Sequence, residues 1–313
     1  MDSGHRIASL KRLRQGAVRA AVATIRLFPE SSAWRARLSR GFHWMTFFYR
    51  HGRPPQVSPS SFNDFLYTRK TDGSLRHPLK RRVTDKEHGK QYIDSRIGTG
   101  WTVETIAVLD SHAAIGQFHP AEFPIVVKPT HSSGRVRVIH DPAEYRAALP
   151  HMRRWLDHNY FAQTLEENYV GLARKVIVEP YLDRDFFLEG SLHCRLGQVR
   201  IISLIDRFDA GKRRASLDRN WQPLDVALGQ PYRPMELPPL PFLELLVDKA
   251  EAVANEFDYI RVDFYASNER FLFGELTNLP GGGLSRFSSE AGRQRFEQAF
   301  FGPALSGKGG HGC

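Results

Sequence analysis

Two acids stand twelve positions apart near the C-terminal end, Asp263 in Arg261-Val-Asp263 and Glu275 in Gly274-Glu275-Leu-Thr277-Asn278. That spacing suits adjacent antiparallel strands joined by a turn at Ser267-Asn268-Glu269, with both carboxylates facing one site. A hard divalent cation such as Mg2+ takes one or two carboxylates with phosphate oxygens and water, and Thr277 or Asn278 would add a neutral oxygen. Acids at strand ends are often simply solvated. Here Val262, Phe264, Phe271, Phe273 and Leu276 half-bury the strands, which makes the acids costly unless paired. Upstream, Lys128 ends the apolar strand Ile125-Val-Val-Lys128 directly before Pro129-Thr-His-Ser-Ser-Gly134. A lysine there calls for an anion, and the backbone N–H groups of Ser132, Ser133 and Gly134 form a candidate phosphate cradle. With Val136–Ile139 as a second strand, the segment reads as a hairpin that covers a phosphate.

Other elements must hold these groups in place. Ser61 or Asn63 caps a helix running through Leu66, and Asp85–Ile97 reads as another, stopped by Gly98 and Gly100. Two helices are predicted over Ala143–Leu149 and Arg153–His158, and the clearest helix over Leu243–Glu256. Val176–Leu182 reads as a strand entering a connector, Phe186–Leu196 with Val199–Ile205 as a hairpin turned at Gly197, and Tyr259–Tyr265 and Phe271–Leu276 as the last two strands. No repeat and no nucleophile elbow appears.

With 313 residues, 41% hydrophobic and 25% charged, the chain can bury a real core and is not a disordered polymer. Two cysteines, Cys194 and Cys313, exclude a disulfide framework and a multi-cysteine zinc site, so a cytoplasmic setting is the default. The formal charge of +10 is concentrated: residues 1–55 hold eleven Lys/Arg against Asp2 and Glu30, or +9, leaving +1 for the rest. The body is therefore not a general nucleic-acid surface. In the N-terminal segment Ile7, Leu10, Val18, Ala21, Ile25 and Phe28 recur at roughly helical spacing, and Trp34–Arg53 interleaves aromatics with arginines. No 18-residue apolar run exists in it, so it suits a membrane surface or packing on its own domain or a partner, and not a spanning helix. His112, His119, His131 and His193 lack mutual ligand spacing and read as solvated or core histidines, His131 being notable for its place in the proposed lid.

The ordered set of motifs resembles the ATP-grasp superfamily, most closely its TupA-like branch, the teichuronopeptide-type amidoligases associated with bacterial surface polysaccharide synthesis. The matching stretches are Pro78-Leu-Lys-Arg-Arg-Val-Thr-Asp85-Lys86, Phe123 through Gly134, Val178-Glu179-Pro-Tyr-Leu182 with Asp185, Asp206-Arg207, Asp218 with Trp221, and Arg261 through Thr277. They cover residues 60 to 290 and leave the first 55 outside. The resemblance implies an α+β ATP-grasp fold with nucleotide between two lobes, preceded by a basic amphipathic segment. The divisions expected are 1–55, 56–120, a central lid region 121–182, a C-terminal lobe 183–303 with the metal site, and a flexible tail 304–313.

Residue by residue, the resemblance implies that Lys86 and Lys128 bind ATP phosphates under a lid of Ser132, Ser133 and Gly134. Glu179 and the backbone of Tyr181 and Leu182 would meet adenine, with Asp185 near the ribose. Asp263 and Glu275 would hold Mg2+, with Arg261 and Lys128 catalytic. Thr277 replaces the asparagine usual in the wider superfamily's metal motif, with Asn278 one position later, and Phe186-Phe187 stand where a further lysine is common. Asp206, Arg207, Asp218 and Trp221 would face the acceptor or form structural pairs. The implied reaction is ATP-dependent amide formation between a carboxylate and an amine through an acylphosphate, with Arg261 and Gly281, Gly282 and Gly283 around the tetrahedral intermediate. Two readings stay open beside it: a kinase acting on a hydroxyl, and a membrane-peripheral assembly protein.

Overall fold

The computed structural model describes residues 20–25, 27–28, 32–56, 61–211, 213–236 and 240–302. The basic run before residue 20, the end of the Pro54–Pro59 linker, the tail from 304 and Cys313 lie outside the described residues.

Two antiparallel sheets carry the site. The smaller one has the order β1-β4-β2-β3, where β1 is Ala107–Leu109, β2 Ile125–Pro129, β3 Arg137–Ile139 and β4 Val176–Pro180. Because strand residues alternate between faces, Ile125, Val127, Val176 and Val178 point into a core with Ile115, Tyr145, Ala148 and Met152. Lys128 and Glu179 point the other way. The sheet begins at Ala107, so a strand from the segment before residue 121 joins the central lobe. The helices expected at Ala143–Leu149 and Arg153–His158 are one, Pro142–Asp157, capped by Asp141 and containing Pro150. Burial of Tyr145, Ala148, Met152 and Leu156 along one stripe outweighs the hydrogen bond that the proline removes.

The larger sheet has the order β7-β6-β5-β8-β9, where β5 is Leu188–Arg195, β6 Gln198–Asp206, β7 Arg214–Asp218, β8 Tyr259–Ala266 and β9 Phe271–Thr277. One face, with Leu192, Val262, Phe264 and Phe273, is closed by the helices Lys86–Ile97 and Leu243–Ala254. On the other face Tyr259 lies under the helices Phe62–Thr71 and Glu290–Phe301. Arg261, Asp263 and Tyr265 follow on that face and are half-buried.

A further helix, Ala33–His51, starts after Ser32 and ends at Gly52, whose φ of 70° is the left-handed stop that glycine tolerates. Phe42, His43 and Phe47 are its buried residues. Among the described residues no helix is long and apolar enough to cross a membrane.

Candidate active site

The register of β8 against β9 sets Asp263 directly opposite Glu275, and Arg261 opposite Thr277. The two carboxylates therefore share one half-buried patch, at 17% and 31% side-chain exposure. Arg261 holds Asp263 through both guanidinium arms, at 2.6 and 2.5 Å, and its Nη2 reaches Thr277 Oγ1 at 3.3 Å. Thr277 Oγ1 lies 3.4 Å from Asp263 Oδ2. Lys86 Nζ sits 3.4 Å from Glu275 Oε2. Burial would raise Glu275, but Lys86, Lys128 and Arg261 overcome it and hold the acid below the usual carboxylate range. Burial pushes Asp263 up, with Arg261 opposing and the Glu275 charge adding to the rise.

Lys86 is placed by the residue before it. Asp85 caps the helix Lys86–Ile97 by accepting from Glu87 N and His88 N, and its Oδ2 accepts from Thr130 Oγ1 at 2.7 Å. The cap thus ties the helix to the loop after β2, and Lys86 Nζ donates to Ser132 C=O at 2.6 Å. Thr130, His131 and Ser132 are buried, His131 Nε2 meets Trp155 C=O at 3.1 Å, and Ser133, Gly134 and Val136 are exposed. Gly134 has a φ of 72°. Burial lowers His131, which makes it a neutral core group. Ser132 Oγ is buried with no partner in the structure.

Glu179 is flanked by two lysines. Its Oε2 lies 2.6 Å from Lys128 Nζ, and its Oε1 pairs with Lys90 Nζ. Burial opposes the charge on Lys128, but Glu179, Tyr265 and Glu275 together raise it. Burial lowers Lys90 against the pull of Glu179. Lys90 also donates to Val103 C=O and Thr105 Oγ1 at 2.7 and 3.1 Å. Sequence reasoning missed Lys90, although its i,i+4 spacing from Lys86 on one helix was a usable signal. It also missed Tyr169, whose buried hydroxyl is pushed well up by burial and then by Glu166, Tyr160 and Glu275.

Tyr181, Leu182 and Asp185 line a cavity of about 860 Å3 with Thr102, Glu104 and Arg270. Tyr181 N–H already donates to Pro124 C=O at 3.2 Å, and Leu182 C=O accepts from Arg207 Nη2 at 3.2 Å. Arg207 also lies over Tyr181 at 5.8 Å, so it braces the connector. Asp206 and Asp218 accept from backbone N–H groups of the turns that follow them. Trp221 packs against the core of the larger sheet. Phe186 is buried with Arg270 over its ring at 5.1 Å, which puts a cation beside the position where the expected lysine is missing. A cleft of about 1140 Å3 between residues 51–64 and 286–302 is larger. Its Arg53 and Arg293 are paired with Asp64, Glu290 and Glu297, and none of Asp263, Glu275, Lys86 and Lys128 lines it.

The residues present fit a hard cation and a polyphosphate. Asp263, Glu275 and Thr277 converge as oxygen donors. Asn278 is set differently: its Nδ2 donates to Lys80 C=O and Thr84 Oγ1 at 2.8 and 2.9 Å, while its buried Oδ1 has no donor. Lys86, Lys90, Lys128 and Arg261 oppose Glu179, Asp263 and Glu275, four positive groups against three negative. After β9, Gly281, Gly282 and Gly283 take φ of 57°, 61° and 73°, values that favour glycine. Gly282 N–H donates to Leu279 C=O at 3.2 Å, which removes it from the donors expected there. Among the described residues Asp85, Glu87 and His88 also cluster, but Lys175 pairs with both acids.

The family described as TupA-like ATPgrasp matches residues 66–295. No curated protein gives a significant match. Among solved structures, the D-alanine–D-alanine ligase of Bacillus anthracis complexed with ATP is similar at 19% identity and a TM-score of 0.42, over 64% of this chain and 57% of that one. An L-amino acid ligase of Bacillus licheniformis is similar at 12% identity and a TM-score of 0.48, over 81% and 56%. A D-cycloserine synthetase is similar at 18% identity and a TM-score of 0.42, over 76% and 77%. The chain thus spans little more than half the length of the first of these.

Proposed function

We propose, from the premise that the chain belongs to the TupA-like ATP-grasp family, that it joins a carboxylate to an amine at the expense of ATP. The observation that carries this reading is the Asp263–Glu275 pair on adjacent strands, ringed by Arg261, Lys86 and Lys128. ATP with Mg2+ supplies a phosphoryl group whose negative charge is partly neutralised. Asp263 and Glu275 would hold the cation, with Thr277 or Asn278 as the neutral ligand. Lys86 and Lys128 would bind phosphate oxygens from two different elements, beneath Ser132, Ser133 and Gly134. Nucleotide binding would release Lys128 from Glu179, and Lys90 would keep that acid paired. Base contacts from the connector would run through Tyr181 C=O and Leu182 N–H, with Glu179 behind them and Asp185 towards the ribose.

The first step forms a bond between a carboxylate oxygen and the γ-phosphorus and breaks the bond to ADP. In the second, the amine nitrogen attacks the acyl carbon, inorganic phosphate leaves with the carboxylate oxygen, and the amine loses a proton. Arg261 would stabilise charge on the transferred group, and the N–H groups of Gly281 and Gly283 would face the tetrahedral intermediate. No side-chain nucleophile is required. Burial raises the Cys194 thiol, which suits a core residue. The resemblance supports a cell-envelope or surface-polysaccharide substrate and a cytoplasmic setting.

The test is phosphate release from ATP and Mg2+ with mixed amino acids and uronic acids, in the native chain and Glu275→Gln. Release that needs both an acid and an amine, and falls at least about a hundredfold in the variant, is expected. Release on adding a hydroxyl compound alone would assign a kinase, and no nucleotide binding by the folded chain would reject the enzyme.

A further inference from the structure

The geometry points to the outer face of the helix Ala33–His51 as a docking surface for an anionic lipid bilayer. Exposed positions recur at 33–34, 37–38, 40–41, 44–45 and 48–49, which is one continuous stripe of a 3.6-residue helix. Six of them are large and apolar: Trp34 at 62% exposure, Leu38 at 38%, Trp44 at 43%, Met45 at 58%, Phe48 at 45% and Tyr49 at 63%. Scattered exposed hydrophobics need no explanation, but a stripe of six does. The helix is not short of a core contact. Its opposite side is already seated, with Phe47 against Tyr67 at 5.2 Å, His43 Nε2 3.3 Å from Leu165 C=O and Arg50 Nε donating to Leu284 C=O at 2.8 Å. The aromatic stripe is what remains after the protein has buried the other face.

Charge chooses the occupant. The helix contains no acid, and Arg37 and Arg40 lie within the stripe, Arg37 over the Trp34 ring at 5.6 Å. A second copy docking through this face would bring like charges together, which is costly. The chain's own residues 1–19 hold Arg6, Lys11, Arg12, Arg14 and Arg19 against Asp2 alone, so they carry the same sign. An anionic bilayer offers the opposite charge, and its interface is where Trp and Tyr rings settle with guanidinium groups among the headgroups. The helix would lie in the plane of the surface. Its inward face touches the segment that bears Tyr160, Glu166 and Tyr169 and the loop after Gly283, so docking would set the cleft close to the membrane. This inference stands whether or not the ligase reading holds.

The experiment is sedimentation of the full chain with vesicles of phosphatidylcholine alone and of phosphatidylcholine with 30% phosphatidylglycerol, a composition chosen as roughly that of an anionic surface. Binding to the anionic vesicles should exceed binding to the neutral ones at least about tenfold and weaken with salt. Arg37→Gln/Arg40→Gln should lower it on the order of thirtyfold, from about 1 kcal/mol per basic residue. Trp44→Ser/Phe48→Ser should abolish it while the far-ultraviolet circular dichroism stays unchanged, since both residues are exposed. Brominated lipid should quench tryptophan emission in the native chain and not in Trp34→Phe/Trp44→Phe, which should still sediment. Binding to neither vesicle, equal binding to both, quenching that survives in Trp34→Phe/Trp44→Phe, or a dimer that dissociates on Trp44→Ser/Phe48→Ser would each overturn the proposal.

Discussion

Replacing Glu179 by glutamine should destabilise the smaller sheet far more than the loss of one surface acid would. The side chain is 4% exposed, between Lys128 at 10% and Lys90 at 6%. Glutamine keeps the shape and removes the charge, leaving two like-charged ammonium groups in a nearly dry site. Removing one partner of a buried pair costs about 3–5 kcal/mol. The two lysines do not share that cost equally. Lys90 retains Val103 C=O and Thr105 Oγ1, whereas Glu179 is the first charge that keeps Lys128 protonated. The penalty should therefore fall mainly on Lys128, and Glu179→Gln/Lys128→Met should regain at least about 1 kcal/mol over the single variant. Urea unfolding followed by tryptophan emission reads this directly, since Trp155 packs against the core of the same sheet. A loss below about 1 kcal/mol for Glu179→Gln, or no coupling to Lys128, would refute the triad as a buried charge network.

Three further outcomes are expected. Arg261→Met should lower turnover by about 10²–10³ while the chain stays folded, because Arg261 is the cation that grips Asp263 and reaches Thr277; steady-state phosphate release measures it, and a loss under tenfold would contradict the role. Stability should fall on the acid side through His43 and His193, both 3% exposed and both lowered to about 3, chiefly by burial. Between about pH 6.5 and 3 the unfolded chain binds protons that the folded chain does not, so stability is fully present above pH 6.5 and drops by about 2 kcal/mol per histidine at pH 5; urea melts at pH 7.5 and 5 should show it, with a shallower fall in His43→Gln. Gly190→Ala should cost about 1–3 kcal/mol, since a Cβ there would lie 2.3 Å from the Phe264 ring; urea midpoints check this, and Phe264→Leu should relieve it.

Much of this site could be read from residue types in order. The twelve-residue interval between Asp263 and Glu275 translated directly into a cross-strand pair, because a tight turn between antiparallel strands fixes register. The hairpins and the helix from Leu243 followed from periodicity and turn residues. Long-range pairing was not legible. Lys90 and Glu179 are 89 positions apart in sequence, and only the packing of the helix Lys86–Ile97 across the cleft brings them together. Tyr169 lies in a short turn with no pattern of its own. The anchoring of Thr130 by Asp85 depends on a helix cap that also bonds a loop 45 residues away. Charge bias showed where the basic segment lies, but not that its helix would bury Phe42 and Phe47 and leave Trp34, Trp44 and Tyr49 outside.

The most direct measurement of the central claim is the fate of the carboxylate oxygen. The full chain would be incubated with ATP, Mg2+ and a pool of amino acids and uronic acids whose carboxyl groups carry 18O, with unlabelled amines present. The account predicts one 18O in the inorganic phosphate released, appearing only when an amide forms and absent in Glu275→Gln. Phosphate without label, or label transferred with no dependence on an amine, would contradict the acylphosphate route to an amide.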